Sequence, residues 1–465
     1  MNRSARNQIR RSTFERLECR EVLAVMAFDL FPVSVPKPDG VADVAVGDMD
    51  NDGDQDVVSV ATRGGQLLFH ENANGEGAFF ASRRIAENVD RPTSTLVADF
   101  DLDGDLDVIL AARGAQMLTW YENDGKGVFS DQQTLLASDN PLEGAASMAL
   151  ADLDGDGDMD VTVATLDSFV WLENLGDGEF SGPIRIARSV MLPSGVSTAD
   201  LDGDGDEDVV ATTALDSRTM WYENTGEGIF MARHMISRDT KFVTAVATTD
   251  IDGDGDLDVL TTSFLDGAIV WHENTSGRFH RSSQVGQMNG ISDLAVVDID
   301  GDQDLDLVAS TSTVDRVVWF ENTDGQATYS DGITIQSNVR NVRALDSTDI
   351  DGDGLADIVL ASYSHDVVAW FRQSSSSPHP ITRAQPFFVS PADPNDGIDL
   401  PTKQSVAAEI ETPDSGNAIA ASDVIFATRG YENLPSQNDK RSNRKQWLRS
   451  ESSIQDVAKH AGLEK

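Results

Sequence analysis

Aspartates at alternate positions form the pattern in this chain with the clearest chemistry, and Asp152-Leu-Asp-Gly-Asp-Gly-Asp-Met-Asp160 is a complete copy. The nine-residue pattern returns seven times, and we number the copies acidic loops 1 to 7. They span 48–56, 99–107, 152–160, 200–208, 250–258, 298–306 and 349–357. Successive copies start 48 to 53 residues apart, a spacing typical of a repeat architecture.

Carboxylates crowded in this way predict a bound cation. Aspartate fills 34 of the 35 odd-numbered places in the loops, and only Leu355, at place seven of loop 7, departs from the pattern. Two carboxylates about 4 Å apart repel by roughly 4 kcal/mol at an effective dielectric constant of 20, and a cation removes that repulsion. Calcium suits the loops because it takes about six to eight oxygen ligands in flexible geometry.

Other ions and a role without metal fit the loops less well. Magnesium prefers a strict octahedron with retained waters, while zinc and copper favour His and Cys, which the loops lack. Asp and Gly also make good turns, so the loops could be turns alone. A turn needs only one or two such residues, whereas these loops repeat aspartate at fixed spacing, so we predict metal binding.

Short apolar segments flank every acidic loop and predict the strands that position it. Val41–Gly47 before loop 1 is rich in small residues, and Val57–Ala61 after it is apolar on both faces. A third strand ends in an aromatic residue, followed in six copies by x-Glu-Asn as in Trp120-Tyr-Glu-Asn123, and a Gly-containing turn leads to a fourth strand. Four short antiparallel strands per repeat predict an all-β, seven-bladed β-propeller.

The aromatic residue at the end of the third strand has two candidate roles, packing between blades and stacking against sugars. Packing is favoured because the position recurs once per blade and a mostly apolar residue stands two places earlier on the same face. We expect the following Glu-Asn pair to cap the turn rather than to bind a ligand. The aromatic positions are Phe69, Trp120, Trp171, Trp221, Trp271, Trp319 and Trp370.

The acidic loop, the apolar strand after it, the Trp-x-Glu-Asn segment and the Gly-x-Gly-x-Phe turn together resemble the FG-GAP/VCBS repeats of bacterial exported proteins and integrin α-chain propellers. The resemblance covers residues 41–373. It implies that each loop joins the first two strands of a blade and binds calcium through side chains at places one, three, five and nine and a backbone carbonyl at place seven. By that pattern Leu355 costs loop 7 no ligand. Up to seven calcium ions are then expected, on Asp48, Asp50, Asp52 and Asp56; Asp99, Asp101, Asp103 and Asp107; Asp152, Asp154, Asp156 and Asp160; Asp200, Asp202, Asp204 and Asp208; Asp250, Asp252, Asp254 and Asp258; Asp298, Asp300, Asp302 and Asp306; and Asp349, Asp351, Asp353 and Asp357.

The repeat divides the chain into three parts. The arginine-rich segment 1–26 is a weak export signal on physical grounds, but Phe14–Ala24 is similar to the segment that opens many exported planctomycete-type proteins. The propeller follows over 27–373. A tail rich in Ser, Pro and Asp, 374–465, is expected to be largely disordered, with room for one short C-terminal helix. The expected blades are 41–91, 92–143, 144–191, 192–241, 242–289, 290–340 and 341–373.

Closure of the ring has two candidate segments. The strand-like segment 27–36 has no acidic loop of its own and could supply the outer strand of the seventh blade, whereas Pro380–Gln385 lies beyond the last repeat. The abrupt end of that repeat at Arg372-Gln373 favours the N-terminal strand.

Composition limits the compartment and the partners. With 79 acidic and 35 basic residues the formal charge is −44, so we expect neither nucleic acid nor anionic lipid as a partner. The single cysteine, Cys19, excludes an intrachain disulfide, and no apolar stretch is long enough for a transmembrane helix. Because calcium is abundant outside cells, we expect an exported, monomeric protein at the cell surface or in the medium.

Three functions remain open from the sequence. The first is a non-enzymatic binding or adhesion scaffold for an extracellular protein or glycan. The second is a lectin that holds glycans between blades near Trp120, Trp171, Trp221, Trp271 and Trp319. The third is a hydrolase or lyase that acts on polysaccharide in the central tunnel. We expect no enzyme, because no nucleophile with its base, phosphate-binding loop or histidine cluster occurs, and His70 and His272 occupy the same place in two repeats.

Overall fold

The computed structural model describes residues 27–34, 38–136 and 145–374. These residues form 28 strands, β1 to β28 in chain order, and no helix. The predicted export segment, the alternative closing segment Pro380–Gln385 and the tail lie outside the described residues. No helix in the described part of the chain is long and apolar enough to cross a membrane.

The strands form seven four-stranded antiparallel sheets, and the predicted seven-bladed propeller is confirmed. Blade 1 contains β2 Val41–Gly47, β3 Asp56–Ala61, β4 Gln66–Asn72 and β5 Phe79–Ala86. Blade 2 contains β6 Pro92–Ala98, β7 Asp107–Ala112, β8 Met117–Tyr121 and β9 Gln133–Leu136. Blade 3 contains β10 Ser147–Ala151, β11 Asp160–Ala164, β12 Ser168–Leu172 and β13 Ile184–Arg188. Blade 4 contains β14 Pro193–Ala199, β15 Asp208–Thr213, β16 Arg218–Asn224 and β17 Phe230–Ser237.

The last three blades follow the same order, except that the outer strand of blade 7 comes from the N-terminal side. Blade 5 contains β18 Val243–Thr249, β19 Asp258–Ser263, β20 Ala268–Glu273 and β21 Arg281–Gln287. Blade 6 contains β22 Ile291–Val297, β23 Asp306–Thr311, β24 Arg316–Phe320 and β25 Ile333–Ser337. Blade 7 contains β26 Val342–Thr348, β27 Asp357–Ser362, β28 Val367–Ser374 and β1 Ala27–Pro32.

The first strands of neighbouring blades contact one another around the whole ring, from β2 through β6, β10, β14, β18 and β22 to β26, which returns to β2. β1 pairs antiparallel with β28, in a register that runs from Ala27 opposite Ser374 to Pro32 opposite Ala369. Of the two closing candidates, the N-terminal strand is therefore the one paired in this structure.

The hydrophobic core is divided into layers, one between each pair of neighbouring blades. Second strands such as β3 and β7 are buried along their whole length, which explains why the sequence makes them apolar on both faces. Outer strands such as β13 and β25 are mostly exposed. Blade surfaces that face each other therefore supply most of the buried apolar area.

The aromatic residues of the third strands are buried in these layers, as predicted for packing. Phe69 is 0% exposed and the six tryptophans are 1–6% exposed. In most blades a turn glycine of the next blade covers the ring. At Gly228, with φ of +64°, a Cβ atom would lie 2.3 Å from Cζ2 of Trp171. The interpretation of these rings as open platforms for sugar stacking is wrong, because little of any ring is accessible.

Candidate metal centre

Each acidic loop joins the first and second strands of its blade, so all seven loops lie on the same rim of the propeller. Loop 3, between β10 and β11, is a representative copy. Asp152 at place one accepts backbone N–H hydrogen bonds from Gly155 (2.8 Å) and Asp156 (3.1 Å) on Oδ1 and from Gly157 (3.0 Å) on Oδ2. Oδ1 of Asp156 accepts one from the backbone N–H of Asp158 (3.0 Å). The aspartates thus fold the loop through its own backbone amides.

Place six needs a left-handed backbone, which accounts for the glycine there. The φ angles of Gly157 and Gly205 are +100° and +98°, a region that glycine enters without steric cost. Gln303, the exception in loop 6, has φ of +77°. The non-glycine residue adopts the same turn, so loop 6 keeps its shape despite the substitution.

The aspartate at place nine is buried and joins the loop to the third strand of its own blade. In loop 3, Asp160 Oδ2 accepts the backbone N–H of Leu153 (2.9 Å), and Oδ1 accepts that of Asn174 (2.7 Å). Burial raises the pKa of Asp160 to about 7, although both hydrogen bonds favour the ionised form. Burial also raises the pKa to about 7 for Asp56, Asp107, Asp208, Asp306 and Asp357, and to about 6 for Asp258.

The aspartate at place three carries the clearest sign of a missing positive partner. Oδ1 of Asp154 is buried, and no hydrogen-bond partner lies within reach in the described residues. Burial, followed by the negative charge of Asp156, raises the pKa of this carboxyl. A buried anionic oxygen without a donor is costly, so the arrangement calls for a cation at this point. A buried oxygen of this kind recurs at place three in Asp50, Asp202, Asp252 and, as Oδ2, in Asp351, while in loop 2 it belongs to Asp99 at place one.

Oxygens of the predicted ligands converge in at least five of the acidic loops. Seven groups of at least three metal-ligating side chains, each with its ligand atoms within 4.8 Å of one another, occur in the described residues. Three groups combine places one, three and nine: Asp48, Asp50 and Asp56; Asp152, Asp154 and Asp160; and Asp200, Asp202 and Asp208. Two combine places one, three and five: Asp99, Asp101 and Asp103; and Asp250, Asp252 and Asp254. These donor sets consist of carboxylate oxygens alone, so they fit a hard cation.

The asparagine after the aromatic residue belongs to the site, and its main role was missed by the sequence analysis. Backbone N–H of Asn224 donates to Asp208 Oδ1 (2.8 Å), while Nδ2 donates to the carbonyl of Glu207 (3.0 Å) in its own loop. Nδ2 also donates to the carbonyl of Leu153 (2.7 Å) in the loop of the preceding blade. Each such asparagine therefore ties two neighbouring acidic loops together.

The same link closes the ring between its first and last blades. Asn72 of blade 1 donates to the carbonyl of Ile350 in loop 7 (2.8 Å). Its Oδ1 also accepts the N–H of Gly77 (3.1 Å), so here the expected turn cap is present as well. Asn and place nine stand 16 residues apart in most repeats, and this fixed spacing was the available signal for the contact.

The fold and the site together define a class, a seven-bladed β-propeller with an acidic loop between the first two strands of every blade. The family model for the FG-GAP-like repeat matches residues 48–110, 99–163, 152–211, 200–261, 250–309 and 298–360, and the chain belongs to that family. Each match starts at the first aspartate of one loop and ends in the strand after the next loop. Six matches therefore contain all seven loops.

Solved structures with the same fold include a lectin and BBS1N. An Agrocybe aegerita lectin described as recognising non-reducing terminal N-acetylglucosamine is 17% identical, with a TM-score of 0.51 over 72% of this chain and 95% of the lectin. BBS1N, in two structures of its complex with ARL6DN, is 11% identical, with TM-scores of 0.52 and 0.54 over 76% of this chain and 98% of that chain. At these identities the likeness is one of fold. No curated protein matches the sequence significantly.

Proposed function

We propose that this protein is an exported, calcium-stabilised propeller that serves as a non-enzymatic binding or adhesion scaffold at the cell surface or in the medium. The buried place-three oxygen is the observation that carries the proposal. It recurs in Asp50, Asp154, Asp202 and Asp252, and each time lies beside further carboxylates of its own loop. A calcium ion would supply the positive charge that these oxygens lack.

The residues that would hold the ion are those at places one, three, five and nine of each loop. Bound calcium would neutralise repulsion within the loop and so favour the folded ring. The compartment follows from the ion, because extracellular calcium is high enough to fill sites of modest affinity. Recovery of the protein in the cytosolic fraction of its own cells, with none outside, would contradict the proposed location.

Thermal unfolding of the full chain in excess calcium, in excess magnesium and in chelator tests the ion. Calcium at one hundred times its dissociation constant adds about 2.7 kcal/mol per site to the free energy of unfolding. We expect a large rise in the unfolding temperature with calcium and a smaller one with magnesium. Equal unfolding temperatures in all three conditions would mean that the loops are turns only.

Glycan binding is a second candidate function, favoured by a groove between blades 5 and 6. The groove has a volume of about 590 Å³, and its lining includes Asp252, Trp271, Arg281, Gln284 and Gln326. Trp271 is only 6% exposed, so polar side chains rather than a tryptophan face would contact a sugar. The lectin of similar fold supports this candidate, as does the closeness of the groove to the acidic loop of blade 5.

A glycan array probed with the full chain in calcium tests the second candidate. If sugars bind in the groove, Gln284→Ala and Gln326→Ala weaken the binding without changing the unfolding temperature. Gln133→Ala, on the outer strand of blade 2 and away from the groove, is the matched control. Binding that persists in both groove variants would place the sugar elsewhere, and an array without binding would leave the scaffold with a protein partner.

A further inference from the structure

Loop 7 differs from the other six loops at three places that contact or adjoin the site. Leu355 stands at place seven, where all the others have aspartate. Arg372 and Gln373 stand where the other repeats have glutamate and asparagine after the aromatic residue. Two of these three changes remove negative charge, and one of them adds a positive charge.

The glutamate in the other repeats lies beside the place-three aspartate. In loop 2 the negative charge of Glu122 is one of the causes that raise the pKa of Asp101, after burial and Asp103. Glu173 has the same effect on Asp154. A cation bound in these loops would therefore meet one more anionic group than the loop itself supplies.

In loop 7 a guanidinium stands in that place. Nε of Arg372 lies 2.5 Å from Oδ2 of Asp351, the place-three aspartate, whose side chain is only 1% exposed. Oδ2 of Asp351 is, like the place-three oxygens of loops 1, 3, 4 and 5, buried without a hydrogen-bond partner in the described residues. In loop 7, however, a guanidinium already lies against that oxygen as an ion pair, at the side where a metal ion would bind.

We propose that the guanidinium of Arg372 takes the place of the metal ion in loop 7, so that the protein binds six calcium ions rather than seven. The inference rests on the proposed calcium binding of the other loops. A dication would be repelled by the neighbouring guanidinium and would have to compete with it for Asp351. It would also meet a loop with one aspartate fewer.

The arginine in place of glutamate at position 372 lies in the blade that closes the ring. Arg372 lies on β28, opposite Asp29 in the register with β1, so it belongs to the pair of strands that closes the ring. Asp357 at place nine still accepts the backbone N–H of Gln373 (2.8 Å) and that of Ile350 (3.1 Å). The closing blade therefore keeps its loop geometry, and its permanent cation makes that blade independent of calcium.

Native mass spectrometry of the full chain, titrated with calcium and checked by equilibrium dialysis, counts the bound ions. We expect six in the wild type and seven in Arg372→Glu/Leu355→Asp, which restores the charges of the other loops. Glu321→Arg, which places arginine at the equivalent position of blade 6, is the matched variant and should bind five. Arg372→Gln, which removes the charge with less change in shape, replaces the double variant if that variant does not fold, and it too should gain a weaker seventh ion.

Each outcome bears on the inference in a distinct way. Seven ions in the wild type would overturn it while leaving calcium binding intact. Six ions in both the wild type and the folded Arg372 variants would show that Arg372 is not what excludes the ion, and would also overturn it. No bound calcium in any form would overturn the proposed function itself, and this inference with it.

Discussion

At the residue scale, places three and nine of the acidic loops have opposite relations to the backbone. In loop 4, Asp202 has a buried Oδ1 to which no described residue donates. Asp208 has both oxygens engaged, Oδ2 by the N–H of Leu201 (3.1 Å) and Oδ1 by that of Asn224 (2.8 Å). Asp202 therefore has an oxygen open to an ion, while Asp208, also a predicted ligand, already joins the loop to the sheet.

Replacement of each by asparagine separates the two roles. Asp208→Asn directs an amide N–H at a backbone N–H, so we expect it to lower the free energy of unfolding by roughly 1–3 kcal/mol already in chelator. In calcium the loss should be larger, because place nine is also a predicted ligand. Asp202→Asn should lose stability only in calcium, by up to about 2.7 kcal/mol at one hundred times the dissociation constant. In chelator it should match the wild type or exceed it, because one repelling charge is gone.

Chemical denaturation of both variants in calcium and in chelator provides the measurement. The two substitutions are isosteric and lie six residues apart in one loop, so each is the control for the other. If Asp202→Asn were as destabilising in chelator as in calcium, the place-three aspartate would be a structural residue and not a ligand.

The aspartates were predictable from sequence because their pattern lies within nine residues. The contact of Asn123 was not predictable in the same way, because the carbonyl of Met49 that accepts its Nδ2–H (2.7 Å) lies 74 residues earlier in the chain. Closure of the blades into a ring brings these two residues together. A repeat reveals that a position matters, but it does not show which neighbouring blade contains its partner.

At the scale of the element, the turn before the fourth strand is shaped by the aromatic residue of the preceding blade. Gly228 has φ of +64°, and its N–H donates to the carbonyl of Leu153 in that blade (3.0 Å). Gly203 in loop 4 has a similar φ of +77°, but a Cβ atom there would meet nothing within 4 Å. Both glycines have a left-handed backbone, but only at Gly228 would a Cβ atom meet a neighbouring side chain, that of Trp171.

Alanine at these two positions therefore distinguishes backbone strain from steric overlap. Gly203→Ala should cost about 1–2 kcal/mol, the usual penalty for a left-handed residue with a Cβ atom. Gly228→Ala should cost about 2–5 kcal/mol, because its Cβ atom also overlaps the ring of Trp171. Urea denaturation in chelator measures both. Equal losses would show that the blades separate enough to admit a methyl group.

The order of strands was predictable, since alternation of loops and apolar segments specifies four strands per repeat. A shift of register between the third and fourth strands was not. It falls two residues before the aromatic residue in blades 1 to 6, for example between Phe169 and Val170. The irregularity follows from strand pairing, which composition and periodicity do not encode.

At the scale of the whole molecule, several contacts join blade 7 to blade 1. The link between Asn72 and Ile350 lies on the loop rim, and Arg63 of blade 1 forms an ion pair with Asp366 of blade 7 at the opposite rim. A core layer that includes Val57 lies between the two rims. The number of blades was predictable from the period, but two segments could complete blade 7, and only the pairing of β1 with β28 distinguishes them.

Removal of β1 tests how much the ring depends on this closure. Deletion of residues 1–32 leaves β28 as an open edge and removes Leu30, a 9% exposed member of the core between blades 6 and 7. Loss of one buried leucine side chain alone costs roughly 2–5 kcal/mol, so the deletion should lower the unfolding temperature strongly. The unpaired edge should also promote self-association.

Deletion of residues 1–26, which retains β1, is the matched control. Circular dichroism during heating and light scattering after size exclusion compare the two truncated chains. β1 pairs with β28 through backbone hydrogen bonds and belongs to no acidic loop. Saturating calcium should therefore not restore the unfolding temperature of the chain that lacks residues 1–32. If that chain remained monomeric and had the same unfolding temperature as the control, three strands would suffice for the last blade. The closure would then depend on the contacts among β2, β26 and the loop rim rather than on the N-terminal strand.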